Sequence, residues 1–299
     1  MKRRSISLKE ISAILGIELV GKNLTINALG NIDYSSVHNS VLSYAFDSNY
    51  IKKIKPPKHI KAIITKSSMY NEFFKSSEIS CLISVDPASD FFYLHNFLAS
   101  ETDFYSYDFL PVKVGLNCEI HGSTILFDNV IIGNNTTIHP NVVLYPQTII
   151  GNNVTIRANT VIGSEGNNFR IIKGIRTDLK HVGGVKIGNN VTIGASCTID
   201  ANLYEDYSLI GNNVRIGQQT HIAPVCNIED NVTIGGNSFI FGSVTIKNKS
   251  YLAPGVNIRN KIIIGSNSII GMGSNVIRNI PENEIWAGNP AKKLRDNTI

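Results

Sequence analysis

The sequence has few cysteines, few charges and no long apolar run, and each shortage excludes a class of protein. Its 299 residues include four cysteines, Cys81, Cys118, Cys197 and Cys226, none of which stands in a CxxC or similar spacing. We therefore expect neither a disulfide framework nor a structural zinc site, and a reducing, cytoplasmic compartment is the simpler interpretation. No stretch reaches the ~18–20 apolar residues of a membrane helix, so no membrane span is expected.

The N-terminus and the charge balance exclude two further classes. Lys2, Arg3 and Arg4 have the charge of a signal peptide, but no apolar h-region follows them. The net charge of +5 is too mild and too scattered to indicate nucleic-acid binding, although it suits a polyanionic small molecule such as a nucleotide. Hydrophobic residues make up 42% of the chain, which is enough for a core and excludes wholesale disorder.

Residues 1–110 have the pattern of a small α/β domain. Ser7 and Glu10 are spaced as a capping box, and aliphatic residues on one helical face follow them. The runs 62–64 and 81–85 are short and apolar, as strands are. Pro87 stands where a second helix would begin, at the position that tolerates its missing N–H.

After Pro111 the pattern changes to an aliphatic residue at every sixth position. Three hexads form one triangular turn of a left-handed parallel β-helix, and we predict this mainly β fold for residues 111–280. Residues 281–299 are expected to form a short C-terminal tail or helix. The series breaks between Ile162 and Ile187 and shortens between Ile199 and Ile210. Its 24 positions are Val114, Ile120, Leu126, Ile132, Ile138, Leu144, Ile150, Ile156, Ile162, Ile187, Ile193, Ile199, Ile210, Ile216, Ile222, Ile228, Ile234, Ile240, Ile246, Leu252, Ile258, Ile264, Ile270 and Val276.

Glycine and asparagine often follow the aliphatic residue, as Gly133 and Asn134 follow Ile132. Both tolerate positive φ, so we expect each hexad to turn a tight corner there. A prism of this kind has no interior pocket. Ligands are therefore expected on its faces or between copies, and a homo-oligomer is expected.

The break between Ile162 and Ile187 is rich in cations. Arg170, Lys173, Arg176, Lys180 and His181 gather there. A basic loop on a rigid scaffold is suited to holding a phosphate or a substrate. The alternative is a solvated loop with ordinary surface charges.

The repeat and several further segments together resemble a known family, the hexapeptide-repeat acyltransferases. Within them the chain is similar to the N-acyltransferases that act on UDP-3-O-acylglucosamine in lipid A biosynthesis and to their relatives in surface-polysaccharide gene clusters. The resemblance covers nearly the whole chain. It lies in residues 5–11, 44–50, 163–166 (Gly-Ser-Glu-Gly), 181–185 (His-Val-Gly-Gly-Val), 197–200 (Cys-Thr-Ile-Asp) and 287–292 (Ala-Gly-Asn-Pro-Ala-Lys).

The resemblance implies a homotrimer with sites between subunits, a UDP-linked amino sugar as acceptor and an acyl thioester as donor. In the family two aromatic side chains enclose the uracil beside an asparagine. The matching residues here are Tyr44 and Tyr50, with Asp47 in place of the asparagine. Because a carboxylate cannot donate as an amide does, the identity of the nucleobase is left open. The two tyrosines could instead be core aromatics. Arg170 and Lys180 are the other expected substrate ligands.

Acyl transfer to an amine needs a general base, and histidine is suited to that role at pH 7. Pro224 occupies the catalytic histidine position of the family, and a second family histidine falls on Lys261. The nearest imidazole is that of His221, our first candidate for the base. His181 is the second, as base or substrate ligand. A structural role is open for both, and no metal is expected, because the histidines show no clear metal-binding spacing.

The C-terminal motif favours a small acyl-CoA, acetyl-CoA, as the donor, because the chain ends nine residues after Pro290. Gly288, Lys292 and Lys261 are the expected donor ligands. Lys247, Lys249, Arg259 and Lys261 are close in sequence and leave acyl carrier protein open as an alternative. The sequence thus predicts an amino-sugar N-acyltransferase for surface glycan or lipopolysaccharide synthesis. The alternatives are a carrier-protein-dependent enzyme of the lipid A type and a catalytically degenerate trimer that binds a nucleotide sugar.

Overall fold

The computed structural model describes residues 5–32, 38–54, 56–105 and 110–298, with the backbone alone for Tyr50. The chain divides into two compact units. The first contains the described residues up to 105 together with residues 167–182 and 204–206. The second contains residues 110–166, 183–203 and 207–298. Most of the cation-rich break in the hexad series thus belongs to the first unit, whereas the sequence pattern predicted the β-helix for all of residues 111–280.

The first unit is an α/β structure built around a five-stranded sheet. In spatial order the strands are Glu18–Val20, Ser80–Ile83, Ile60–Thr65, Val41–Ala45 and Ala28–Leu29. The first pair is antiparallel and the other pairs are parallel. Strands Ile6–Ser7 and Thr25–Ile26 form a separate antiparallel pair, and Phe169–Ile172 and Ile175–Asp178 form a hairpin. The helices are Leu8–Leu15, Ser48–Ile51, Ser67–Met69 and Pro87–Ser100, with a π-helical turn at Tyr70–Phe74.

The helix ends of this unit follow from local side-chain chemistry. Ser7 and Glu10 form the predicted capping box, and Gly16 ends the first helix with φ of +67°. Asp86 caps the helix that Pro87 begins. None of the helices in the described part of the chain is long and apolar enough to cross a membrane.

The second unit is a left-handed parallel β-helix, as the hexads predicted. Its strands stack into three sheets in which most partners are 18 residues apart, as Ile125 and Val143 are. The first sheet, hereafter the His221 face, contains Ile125–Leu126, Val143–Leu144, Val161–Ser164, Thr198–Asp200, His221–Ile222, Phe239–Ile240, Asn257–Ile258 and Asn275–Val276. The second contains Lys113–Val114, Ile131–Ile132, Thr148–Ile150, Gly184–Ile187, Tyr207–Ile210, Asn227–Ile228, Thr245–Ile246 and Ile263–Ile264. The third contains Glu119–Ile120, Thr137–Ile138, Thr155–Ile156, Thr192–Ile193, Arg215–Ile216, Thr233–Ile234, Tyr251–Leu252, Ile269–Ile270, Glu284–Ala287 and Lys292–Asp296.

The core of the β-helix contains the predicted aliphatic series and a second series of small residues. From Ile132 onward the aliphatic side chains are buried, whereas Val114 at the first coil is exposed. Small side chains two residues earlier are also buried, as Val130 and Thr160 are. The Thr160 hydroxyl donates to the Gly194 carbonyl oxygen at 2.8 Å, so a polar group lies in the core with its hydrogen bond satisfied.

The tight corners occur one residue later than Asn134 and its equivalents. Asn135, with φ of +55°, is one of the corner residues, and Gly133 and Asn134 do not have positive φ. Gly133 is required for another reason, because a Cβ there would lie 2.5 Å from the Gly151 carbonyl oxygen of the next coil. Asn134 Oδ1 accepts a hydrogen bond from the Leu116 backbone amide, and the Asn134 backbone amide donates to Asn152 Oδ1. The Gly-Asn pairs thus join coils rather than turn them.

A helix was one of the structures expected for residues 281–299, and that expectation is wrong for the part described. Residues 284–287 continue the third sheet, with Ile269 opposite Ile285, and then pair antiparallel with residues 292–296. Glu284 stabilises the return by accepting hydrogen bonds from Trp286 Nε1 and Lys293 Nζ. The last coil of the β-helix has an open strand edge with unpaired backbone N–H and C=O groups. A strand at residues 284–287 pairs with these groups, and a helix would leave them unpaired.

Candidate functional site

His221 projects outward from the His221 face of the β-helix. The next residue, Ile222, points into the core and is fully buried, so alternation along the strand turns the imidazole to the outside. Thr198 and Phe239 lie opposite His221 on the neighbouring strands. The imidazole side chain is 35% exposed, which leaves it accessible to a substrate.

Asp200 lies beside His221 and is the site residue that sequence reasoning missed. Its Oδ2 is 3.5 Å from His221 Nε2, and its side chain is almost completely buried. Burial raises the pKa of the Asp200 carboxyl to about 6, and the opposite effects of His221 and of the Ser164 hydroxyl are smaller. The signal for Asp200 in the sequence was its place at the end of the segment 197–200, one of the segments that carry the family resemblance.

The segment Gly163-Ser164-Glu165-Gly166 covers Asp200. Ser164 Oγ is 3.4 Å from Asp200 Oδ1, and the Ser164 carbonyl oxygen accepts the Ala201 amide at 2.9 Å. A Cβ on Gly166 would lie 2.5 Å from Pro224 Cγ and 3.0 Å from Asp200 Oδ2. The backbone of Gly166 therefore packs directly on the residues that surround the carboxylate.

We expect Gly166→Ala to lower kcat about 10–100-fold, because an added methyl must displace Asp200 or Pro224, and displacements of this size at a reacting centre carry such a cost. Steady-state kinetics of the acyl transfer proposed below would measure it. Gly122→Ala is the matched control, since a Cβ there meets nothing within 4 Å. Equal activity of the two variants would contradict this role.

Pro224 lies in the same cluster, against Gly166, and cannot itself act as a base. The next residue, Val225, has φ of +65° and is the only β-branched residue with positive φ among those the structure describes. A β-branched residue in this conformation costs ~1–3 kcal/mol, and such strain is concentrated at functional sites. His221 lies on the strand His221–Ile222, three residues before Pro224.

His181 belongs to the first unit, whereas His221 belongs to the second. Burial lowers the pKa of His181 to about 4, against a smaller effect of the Leu179 carbonyl. Its Nε2 is 3.4 Å from Asn168 Nδ2. A neutral imidazole of this kind suits hydrogen bonding to a ligand better than accepting a proton at pH 7. His95, buried beside it, has its Nε2 2.8 Å from the Lys180 carbonyl oxygen and fits the structural role expected of the histidines in this unit.

Tyr44 lies in an aromatic cluster of the first unit. Its ring stacks on that of Phe46 at 5.9 Å, packs against that of Phe91 at 4.7 Å and meets the edge of that of Phe92 at 5.4 Å. The most exposed residue of this set is Phe46, at 58%. The side chain of Tyr50 lies outside the described residues.

The remaining expected substrate ligands are also in the first unit. Asp47 is exposed, and its Oδ1 accepts the Asn49 amide at 2.9 Å. The Arg170 guanidinium lies over the Phe92 ring at 5.1 Å. The Lys180 side chain is exposed, and its backbone is held by the Asn96 side chain. Arg170 thus lies on the aromatic cluster, and Asp47 follows Phe46 of that cluster in the chain.

The expected donor ligands are exposed and lie late in the β-helix. Lys261 is a corner residue with φ of +63°, and Gly288 has φ of +101°. Lys292 is on the last strand, opposite Ala287. A groove of about 270 Å³ on the His221 face contains Arg259, one of the late cations that the sequence associated with acyl carrier protein. A larger groove of about 620 Å³, containing Lys186, lies on the second sheet and includes none of the predicted site residues.

The buried cysteines are poor candidates for a nucleophile, and the described residues contain no group suited to binding a metal ion. Burial raises the pKa of Cys81 and Cys226 to about 12, so neither thiol is a ready nucleophile. Within the described ranges, no three or more His, Cys, Asp or Glu residues are grouped so that they could hold a metal ion. His221 and Asp200 are thus an imidazole and a carboxylate brought within 3.5 Å of each other in the second unit.

Comparison with known proteins supports the repeat architecture. Residues 129–164 and 207–242 match the model of the bacterial transferase hexapeptide (six repeats). Residues 112–140 and 226–259 match that of the hexapeptide repeat of succinyl-transferase.

Two similar curated proteins carry the same description, UDP-3-O-acylglucosamine N-acyltransferase. The protein from Maricaulis maris is 50% identical over 135 residues, which cover 45% of this chain and 39% of that protein. The protein from Ectopseudomonas mendocina is 42% identical over 83 residues, covering 28% of this chain and 23% of its own length. The chain thus matches less than half the length of these relatives.

Solved structures share the fold. The UDP-N-acetylglucosamine acyltransferase from Bacteroides fragilis is 24% identical, with a TM-score of 0.56, and the match covers 64% of this chain and 74% of that one. The enzyme of the same description from Campylobacter jejuni is 21% identical with the same TM-score, and the match again covers 64% of this chain and 74% of that one.

Proposed function

Because the chain is a hexapeptide-repeat β-helix protein that resembles the UDP-3-O-acylglucosamine N-acyltransferases, we propose that it acylates the amine of a nucleotide-linked amino sugar. The donor that we favour is acetyl-CoA, and acyl carrier protein is the alternative. The product would serve surface glycan or lipopolysaccharide synthesis.

The observation that carries this proposal is the His221–Asp200 pair. An imidazole beside a buried carboxylate is an arrangement that orients the ring and stabilises the imidazolium that forms on proton uptake. Since Asp200 faces Nε2, the geometry favours Nε2–H toward the carboxylate and leaves the Nδ1 lone pair for the substrate. In this proposal His221 supplies the base that Pro224 cannot be.

The proposed reaction needs one proton acceptor. After the sugar ammonium has lost a proton to solvent, its amine nitrogen attacks the thioester carbonyl carbon, and His221 Nδ1 accepts the second proton from that nitrogen. The carbon–sulfur bond then breaks, the amide forms, and the departing thiolate takes the proton from the imidazolium. No acyl-enzyme is formed, which agrees with the raised pKa values of the buried thiols.

The two ends of the substrates are assigned to the other predicted residues. Arg170 and Lys180 would bind the phosphates of the nucleotide, since guanidinium and ammonium groups are suited to phosphate oxygens. His181 would contribute a neutral imidazole to the sugar. Lys261, Gly288 and Lys292 would bind the donor, and Arg259 adds a cation in the groove on the face that carries His221.

A homotrimer is part of the proposal. The β-helix exposes large apolar side chains on all three of its sheets, and removal of apolar surface from water favours association of copies. These residues include Ile125, Phe127, Ile131, Phe239, Phe241, Tyr251 and Ile263. Sedimentation of the purified chain would measure the assembly.

The test of the function is release of thiol from acetyl-CoA in the presence of a panel of nucleotide-linked amino sugars, with product masses read in the same reaction. We expect one sugar to gain the mass of one acetyl group. Acylation only with a carrier-protein thioester would move the assignment to the alternative donor. No product with either donor would overturn the enzyme and favour a trimer that only binds a nucleotide sugar.

A further inference from the structure

Phe46 presents a flat, exposed aromatic surface in the first unit. The residue is 58% exposed. Its ring is nearly parallel to the Tyr44 ring, at 8°, with the centroids 5.9 Å apart. Tyr44 is in turn backed by Phe91 and Phe92. Tyr44 and its neighbours therefore flank Phe46, and the exposed Phe46 ring is an aromatic surface on which a nucleobase can stack.

A carboxylate follows this ring directly in the chain. Asp47 is exposed and lies just before the short helix Ser48–Ile51, whose first turn contributes the Asn49 amide as a hydrogen-bond donor to Oδ1 at 2.9 Å. The Asp47 carbonyl oxygen accepts the Ile51 amide at 3.1 Å. These two bonds restrain the backbone and the carboxylate of Asp47, and a carboxylate oxygen can accept more than one hydrogen bond.

The hydrogen-bonding edge of the base decides which nucleotide suits a carboxylate. An ionised carboxylate accepts hydrogen bonds and donates none. Uracil and thymine present one N–H between two carbonyl oxygens, so a carboxylate meets repulsion on both sides of that N–H. Guanine presents its N1–H and its exocyclic amino group side by side, and two parallel N–H donors match the two oxygens of a carboxylate. Adenine and cytosine offer a donor beside an acceptor.

We infer that the nucleotide end of the substrate is guanine, stacked on Phe46 and held through N1–H and N2–H by Asp47. The inference rests on the proposed function for the sugar and the acyl transfer, and it specifies the nucleotide. Arg170, on the Phe92 ring of the same aromatic cluster, supplies a cation for the diphosphate. The substrate class is thus a GDP-linked amino sugar, in contrast to the UDP that the family resemblance implies.

Binding of nucleoside diphosphates without any acyl donor tests this inference. Isothermal titration of the full-length chain with GDP, UDP, dTDP, ADP and CDP should show GDP binding at least tenfold more tightly than the other four. Asp47→Asn should remove this preference, because an amide offers one donor and one acceptor and matches uracil better than guanine. Phe46→Ala should weaken all nucleotides together by about 5–100-fold, since stacking does not depend on the base. Glu78→Gln, at an exposed carboxylate elsewhere in the first unit, is the control and should change neither.

Each other outcome overturns the inference. Tighter binding of UDP or dTDP, or binding of none of the five nucleotides, excludes guanine as the base. A guanine preference that survives Asp47→Asn assigns the base to other residues. The acyl-transfer assay separates the two proposals, because acetylation of a UDP-linked sugar would exclude guanine and keep the enzyme. GDP binding without any acyl transfer would keep the base and exclude the enzyme.

Discussion

His221→Gln should lower kcat by about 10²–10⁴-fold and leave nucleotide affinity unchanged. Glutamine keeps the approximate size and polarity of the side chain but cannot accept a proton at neutral pH, and loss of a positioned general base has an effect of this size. Single-turnover kinetics with saturating acetyl-CoA would measure the chemical step, and titration with nucleotide alone would measure binding. The separation matters because a residue that only binds substrate would change affinity as well.

The matched control is His139→Gln, at a partly exposed histidine on a different sheet of the same β-helix. It should retain the parent kcat. If His221→Gln were as active as this control, the base would lie elsewhere, and His181→Gln would be the next variant. Two fully active single variants, with the double variant also active, would exclude both imidazoles as the base.

Asp200→Asn should reduce activity and stabilise the protein above pH 6. The carboxylate orients the ring and stabilises its cationic form, so kcat should fall about 10–1,000-fold with the amide in place. Burial raises the pKa of the Asp200 carboxyl from an ordinary 3.8 to about 6, so the folded protein holds this proton more tightly than the unfolded chain. The stability associated with the protonated carboxyl is therefore present below pH 4 and is lost as the pH rises to about 6.

Replacing the carboxylate by an amide removes that loss, and we expect a gain of about 1–2 kcal/mol in the free energy of unfolding at pH 7.5. No gain is expected at pH 4, where the carboxyl of the parent is already protonated. Chemical denaturation of both proteins at the two pH values would measure it. A destabilised variant at pH 7.5 would instead mean that the His221 attraction outweighs the desolvation of Asp200.

The pH profile of kcat/KM gives an independent check on the pair. Activity of the parent should rise through about pH 6 as Asp200 ionises, and the Asp200→Asn variant should lose that component of the rise. His139→Gln should keep the parent profile. A profile unchanged by Asp200→Asn would show that the carboxylate does not act on the reacting imidazole.

Residues that must pack together could be predicted, and residues that meet only through the fold could not. The hexad series predicted the β-helix and its inward side chains from Ile132 to Val276, because burial at a fixed period leaves a periodic pattern. The predicted positions of the corners were wrong, because glycine and asparagine at positions such as Gly133 and Asn134 were interpreted as residues of positive φ. Gly133 is required for its lack of a side chain against Gly151.

The sequence by itself determined the repeat, the α/β pattern of the first unit and the choice of His221 over Pro224 as candidate base. These depend on the identity and spacing of neighbouring residues. Only the tertiary structure decided that Asp200 is buried beside His221, because 21 residues separate them and stacking of successive coils brings them to adjacent strands. It also decided that Phe46 rather than Tyr44 is the exposed aromatic residue. Tyr44 packs against Phe91 of the helix Pro87–Ser100, and Phe46 lies beyond that contact.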